Sequence, residues 1–275
     1  MKKKINTMDL IALGAAILTL IGAALRTVAL LTAFDADVGY FSESALITYL
    51  DRALLLAAIV FGTVVLIATP KDKLSASPAP ITVWSTFSSA ALGFIFAIFG
   101  VLFLILHLPK PAILVCITSA GALASAIYFI YEAIRPDTAG KRIGLGLFPV
   151  ISLVGAVFVE NFDFLVALNS PEKLLATVTF AVGALLIVQR LKFSAGNPTP
   201  RFELWCAYLV AFLGAYFAVG GIVATCVGVL DDPKYLVYYL LSVGLSIYAF
   251  IDLYGRLALA RLADAEIISE PDTTI

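Results

Sequence analysis

The chain has 275 residues, 61% of them hydrophobic and 13% charged, with a mean hydropathy of +1.02. Soluble domains carry about a quarter charged residues, so a water-soluble fold of this length would lack the charge to cover its surface, and disorder is excluded by the same apolar excess. With 18 Lys and Arg against 19 Asp and Glu, the net charge of −1 also excludes a basic nucleic-acid binder. What remains is an all-α, polytopic helical membrane protein whose main partner is the lipid bilayer.

Crossing a hydrocarbon core of about 30 Å takes about 20 apolar residues. Eight apolar segments are counted as long enough to cross. The first four run Leu10–Ala33, Ile47–Ala68, Ile81–Leu106 and Ala112–Tyr131; the second four run Ile143–Val159, Leu174–Leu191, Phe202–Leu230 and Leu236–Tyr254. Prolines punctuate the breaks, at Pro70, Pro78, Pro80, Pro109, Pro111, Pro136, Pro171, Pro198, Pro200 and Pro233. Pro149 alone falls inside a segment, near its inner end, where it predicts a kink. The tail 257–275, with Arg261, Asp264, Glu266, Glu270 and Asp272, is expected to prolong the last helix briefly and then fray.

The basic residues test this count. With the N-terminus in the cytoplasm, Lys2, Lys3, Lys4, Lys71, Lys73, Arg135, Lys141, Arg142, Arg190, Lys192, Arg201, Arg256 and Arg261 lie inside, which is 13 of the 18. Lys110, Lys173 and Lys234 lie outside, and Arg26 and Arg52 fall in or at the edge of spans. Eight spans in the cell membrane, with both chain ends cytoplasmic, give this alternation. The first segment is too long for a signal peptide's apolar region and is read as retained.

Self-comparison at an offset of 121 aligns the third span with the seventh without a gap. Ala90–Gly100 and Ala211–Gly221 share the pattern A-x-L-G-x-x-F-A-x-x-G, Trp84 falls on Trp205, and Arg135 on Arg256. Over Trp84–Arg135 and Trp205–Arg256, 11 of 52 pairs are identical, about twice what shared apolar composition would give, which points to a repeat. Asp51-Arg52 falls on Glu172-Lys173. The expected organisation is a first four-helix repeat over 1–135, a second over 136–256 and a tail from 257. Four crossings return the chain to its starting side, so the repeats should be parallel, related by a pseudo-two-fold axis along the membrane normal. Ala90, Gly93, Ala97 and Gly100 share one helix face, as do Ala211, Gly214, Ala218 and Gly221. Small residues let helix backbones approach closely in lipid, so these stripes predict that the third and seventh helices form a tightly packed central pair.

Charges within a membrane are costly and point to function. Arg26 lies in the outer part of the first span and is placed to meet Asp35, Asp37 or Asp51 as an interfacial ion pair. Asp51-Arg52 and Glu172-Lys173 sit at the outer starts of the second and sixth spans, where the acids suit the helix dipole and the four charges could form a symmetric outer ring. Glu132 and Asp252, near the inner ends of the fourth and eighth spans, are spaced for salt bridges to Arg135 and Arg256. The outer connections are acidic, with Asp35, Asp37, Glu43, Glu160, Asp163, Asp231 and Asp232. Trp84, Trp205, Tyr128, Tyr131, Tyr248 and Tyr254 suit an inner aromatic belt, and Tyr235, Tyr238 and Tyr239 an outer one.

Between these levels the polar residues are small hydroxyls: Thr118, Ser119, Ser125, Ser242 and Ser246. No nucleophile–base pair is visible and no cofactor is expected. The single His107 makes a poor metal ligand, and Cys116, Cys206 and Cys226 have no metal-ligand spacing. The pattern reads best as transport or permeation of a small or hydrophobic solute between two duplicated halves. The alternative is a non-catalytic membrane subunit or scaffold that interacts with other membrane proteins or lipids.

Overall fold

A computed structural model describes residues 7–35, 38–69, 82–107, 112–135, 143–162, 170–230 and 233–269, with the backbone alone at 7, 68 and 262–269. The lysines at 2–4, 71 and 73, Asp37, the prolines at 70, 78, 80, 109, 111 and 136, Lys110, Lys141, Arg142, Asp163, Asp231, Asp232, Glu270 and Asp272, and the side chains of Asp264 and Glu266, lie outside the described residues. The rest is helical apart from one small hairpin. The helices are α1 (Thr7–Ala33), α2 (Leu46–Ala68), α3 (Val83–Leu106), α4 (Ile113–Ile134), α5 (Leu147–Phe162), α6 (Pro171–Ser194), α7 (Pro200–Cys226) and α8 (Pro233–Ser269). Between α1 and α2, β1 (Phe34–Asp35) pairs antiparallel with β2 (Tyr40–Phe41).

Local chemistry sets the helix ends. Pro171, Pro200 and Pro233 open α6, α7 and α8, where a missing N–H costs no helical bond. Thr82 and Ser85 form a reciprocal capping box at the start of α3. Gly196 and Gly228, at φ of 81° and 80°, turn the chain out of α6 and α7. Pro149 stands in the first turn of α5, where it has no helical carbonyl to clash with, so it starts the helix rather than kinking it.

Among the described residues seven helices, α1–α4 and α6–α8, are long and apolar enough to cross a membrane. The chain is therefore an integral, multi-pass membrane protein. The fifth segment differs from expectation: residues 143–146 form turns and α5 has 16 residues, about 24 Å at 1.5 Å per residue, short of a full crossing. The last helix is prolonged into the tail as expected, α8 running for 37 residues to Ser269, and 270–275 lie outside the described residues.

Helices α3, α4, α5, α6, α7 and α8 each pack on the next, and α8 closes on α3, giving a ring of six. The α1–α2 pair lies outside it against α7, and fewer of its residues are buried than in α7 and α8, which are mostly buried. Asp9 near the start of α1 meets Arg261 of α8 at 3.2 Å, so these two parts of the chain lie at one end of the bundle. That end is called proximal below, and the opposite end distal.

The small-residue stripes pack, but not on each other. Each lies against the helix that follows it. A Cβ built on Gly93 would sit 3.0 Å from the Ala126 carbonyl oxygen of α4, and one on Gly100 3.0 Å from that of Ser119. A Cβ on Gly214 would lie 2.7 Å from the Ser242 carbonyl oxygen of α8. Ala211 and Ala218 are buried on α7; Ala90 and Ala97 on α3 are half-buried. The expected α3–α7 pair does not form because α8 stands between them. The short α3–α4 and α7–α8 connections hold those helices as antiparallel neighbours and direct the stripes there. In both α3–α4 and α7–α8 a small-residue stripe lies on the next helix, yet the surroundings of the two pairs differ: α1 lies on α7, whereas α5 lies on α4.

Gly214→Val should therefore destabilise the protein by about 1–3 kcal/mol, because backbone rather than a flexible side chain blocks the new atoms. Gly144→Ala, where a Cβ meets nothing within 4 Å, should leave the melting temperature in detergent unchanged.

The tyrosines expected in aromatic belts divide. Trp84 and Tyr254 are exposed as a belt requires, but Tyr238, Tyr239 and Tyr248 are buried inside the bundle. The hydroxyls of Tyr239 and Tyr248 serve carboxylates there, which a lipid-facing position would not need.

Candidate functional site

Two ionic clusters occupy opposite ends of the bundle, the distal one buried and the proximal one partly buried. At the distal end, Arg26 of α1 donates through Nη1 to Asp51 Oδ2 of α2 at 3.1 Å and through Nη2 to Glu172 Oε1 of α6. All three residues are 3% exposed. The Arg26 guanidinium also lies 4.5 Å from the Phe41 ring centroid and 5.5 Å from that of Tyr216. Tyr239 of α8 donates to Glu172 Oε2 at 3.0 Å. The β-hairpin, turned by Gly39 at φ 77°, carries Phe41 over the cluster. Planar guanidinium geometry suits this arrangement, since it serves two carboxylates and stacks on aromatic faces at once.

The two acids that the duplication aligns, Asp51 and Glu172, thus converge on one arginine. The symmetric ring of four charges does not form. Arg52 is exposed, whereas Lys173 is buried and engaged. Of the partners foreseen for Arg26, Asp51 is met; Glu172 was not foreseen.

At the proximal end, Arg190 of α6 joins two other helices. Its Nη2 donates to Asp252 Oδ1 of α8 at 2.5 Å, and its Nη1 to Glu132 Oε1 of α4 at 3.3 Å and to Tyr248 Oη. The guanidinium stacks 4.4 Å from the Tyr248 ring centroid. Tyr248 and Ser89 donate to Glu132 Oε2 at 3.3 and 3.4 Å. Arg256 links Asp252 Oδ2, at 3.2 Å through Nε, to Glu203 Oε1 of α7, at 2.5 Å through Nη2. The expected Asp252–Arg256 bridge is present. Glu132 takes Arg190 of another helix, so it joins helices instead of only anchoring its own.

Arg190 and Glu203 were missed in the sequence because each lies at a span end, where charges read as loop residues. A signal was there: Glu172, Ala176, Thr179, Gly183, Leu186 and Arg190 recur at alternating steps of four and three, one face of α6. That face joins the two clusters, about 27 Å apart along the helix.

Between the clusters lies a layer of hydroxyls. Thr118 and Ser119 of α4, Ser152 of α5, Thr179 of α6 and Ser242 of α8 are all buried, and none of their hydroxyls has a hydrogen-bond partner among the described residues. They lie about 8–15 Å from the distal ends of their helices. Six other helical hydroxyls, Thr19, Thr27, Thr32, Thr63, Ser125 and Thr225, return to the carbonyl four residues back at 2.6–3.0 Å. Ser246 instead crosses to the Ala211 carbonyl at 2.6 Å. Near the distal end, Tyr235 of α8 reaches across the ring to Glu160 Oε1 of α5 at 2.7 Å. Apolar side chains fill the interior between: the rings of Phe180 and Tyr238 pack at a tilt, and Phe129 meets Tyr248 edge-to-face and stacks on Phe96.

Among the described residues, no three His, Cys, Asp or Glu side chains are grouped to hold a metal ion. His107 is engaged with the Phe103 carbonyl at 2.7 Å. Comparison with family models, with curated proteins and with solved structures returns no match to this chain.

Proposed function

We propose that this is a membrane transport protein, which passes a small solute through the six-helix ring between α3–α4 of the first half and α5–α8 of the second. The layer of five buried hydroxyls without protein partners carries this reading. Leaving a buried hydroxyl unpaired costs about 1–3 kcal/mol, and in lipid no water relieves the cost from outside. A solute or water column moving through the bundle would supply the missing bonds in passing. The ionic clusters, one at each end of the same α6 face, act as closures on either side of that layer. The aligned pairs α3–α4 and α7–α8, each closed by its small-residue stripe, support duplicated four-helix units over 1–135 and 136–256. The basic residues support cytoplasmic chain ends in the cell membrane.

Purified protein in liposomes should pass small polar solutes, measured by osmotic swelling, faster than empty liposomes do. A paired Thr179→Val and Ser242→Ala variant, with wild-type melting, should lose most of that flux. Swelling no faster than in empty liposomes across a panel of small neutral and charged solutes would favour the membrane-subunit reading.

A further inference from the structure

We propose that Glu203 of α7 is a proton-binding site, and that the proximal cluster exchanges a proton with the adjoining aqueous phase. This rests on the transport reading only for its purpose; the site itself stands on geometry. Glu203 is 0% exposed, and its Oε2 is buried without a hydrogen-bond partner among the described residues. Its other oxygen takes one N–H of Arg256, and that guanidinium also serves Asp252. Asp252 has a second cation in Arg190, which in turn is shared with Glu132. Among the described residues, Arg190 and Arg256 thus share Asp252 and each takes one further carboxylate, so Glu203 receives only a share of one guanidinium.

The groups that face Glu203 are Asp252 and Arg256 from α8, Arg190 from α6 and Cys206 on α7 itself. From α1, Asp9 is turned to Arg261. An anionic oxygen buried without a donor is expensive, and the cost falls when that oxygen gains a cation. An alkali ion needs several oxygen ligands at once. A proton needs only the one oxygen that lacks a partner, and it makes Oε2 a hydroxyl. The step is a simple association: a proton from the proximal aqueous phase bonds to Oε2, and the Glu203 carboxylate becomes a neutral carboxylic acid. Release reverses it, and Arg256 remains with Asp252. Proton exchange at this position would loosen and restore the Arg256 link between α7 and α8, coupling the proximal closure to pH.

Infrared difference spectroscopy on the purified full-length protein tests this without a solute. A pH titration should show one buried carboxylic-acid carbonyl band that shifts in deuterated buffer. The band should disappear in Glu203→Gln and persist in Glu132→Gln. Glu203→Asp, which keeps the acid, should retain a band at a shifted frequency, so a fold that rejects Gln still leaves the assignment open to test. A band that survives in Glu203→Gln, or that never appears across the titration, overturns the proposal. So does a band abolished by sodium chloride but not by choline chloride, which would assign the site to an alkali cation. Solute swelling plays no part here, so failure of the transport reading and failure of the proton site are told apart.

Discussion

Replacing Arg26 with methionine should cost about 3–5 kcal/mol of stability, seen as a large fall in the detergent melting temperature. The side chain is buried and serves Asp51 and Glu172 on two other helices, so its loss strands two carboxylates away from water. The effect should come from the stranded charge, not from lost packing, because methionine keeps an apolar stem of similar reach. The triple variant Arg26→Met with Asp51→Asn and Glu172→Gln should therefore recover most of the loss. Arg52→Met, at the exposed neighbour of Asp51, should stay within about 0.5 kcal/mol of wild type. A triple variant no more stable than the single one would show that the three residues do not act as a unit.

Arg190→Met should cost about 2–4 kcal/mol, less than the distal change, because this side chain is 20% exposed and Asp252 keeps Arg256. Arg190→Lys should recover only a minor part of the loss. One ammonium cannot reach Glu132 and Asp252 together and also stack on Tyr248 as a planar group does. Thermal melting of the three proteins side by side checks both statements, and full recovery by lysine would reduce the cluster to a single simple ion pair.

The elements were legible in the sequence because apolar run length and proline placement record the hydrocarbon thickness directly. The exception is α5, where Gly144 and Gly146 precede Pro149 and turns replace the first apolar residues of the run. Neighbour relations were less legible. The stripe Ala90, Gly93, Ala97 and Gly100 announces a close approach but not the helix that is approached, and loop length decided for α4 over α7. The charges were half legible. Arg26 stood out by its depth in an apolar run, Asp51 and Glu172 by their alignment at the offset of 121, and Glu132 and Asp252 by their spacing to Arg135 and Arg256. Arg190 and Glu203 did not, because a charge within a turn of a span end looks the same whether it meets water or a neighbouring helix. The tyrosines misled for a related reason: amphipathic rings suit both a lipid interface and a buried carboxylate, and Tyr239 and Tyr248 have the carboxylate. Composition showed the hydroxyls, but only side-chain geometry separates Thr118 or Thr179 from Thr27, which bonds back to its own helix.

The transport reading stands on water or solute reaching the hydroxyl layer, and cysteine labelling measures this directly. With Cys116, Cys206 and Cys226 replaced by alanine, Thr179→Cys and Leu185→Cys are made one at a time and treated in intact vesicles with a charged, membrane-impermeant thiosulfonate. Leu185 sits on the same helix but is 41% exposed on the bundle's outer surface. The cysteine at 179 should react and the one at 185 should stay unmodified; equal inertness at both positions in a folded protein would mean that the buried hydroxyls lie on no path at all.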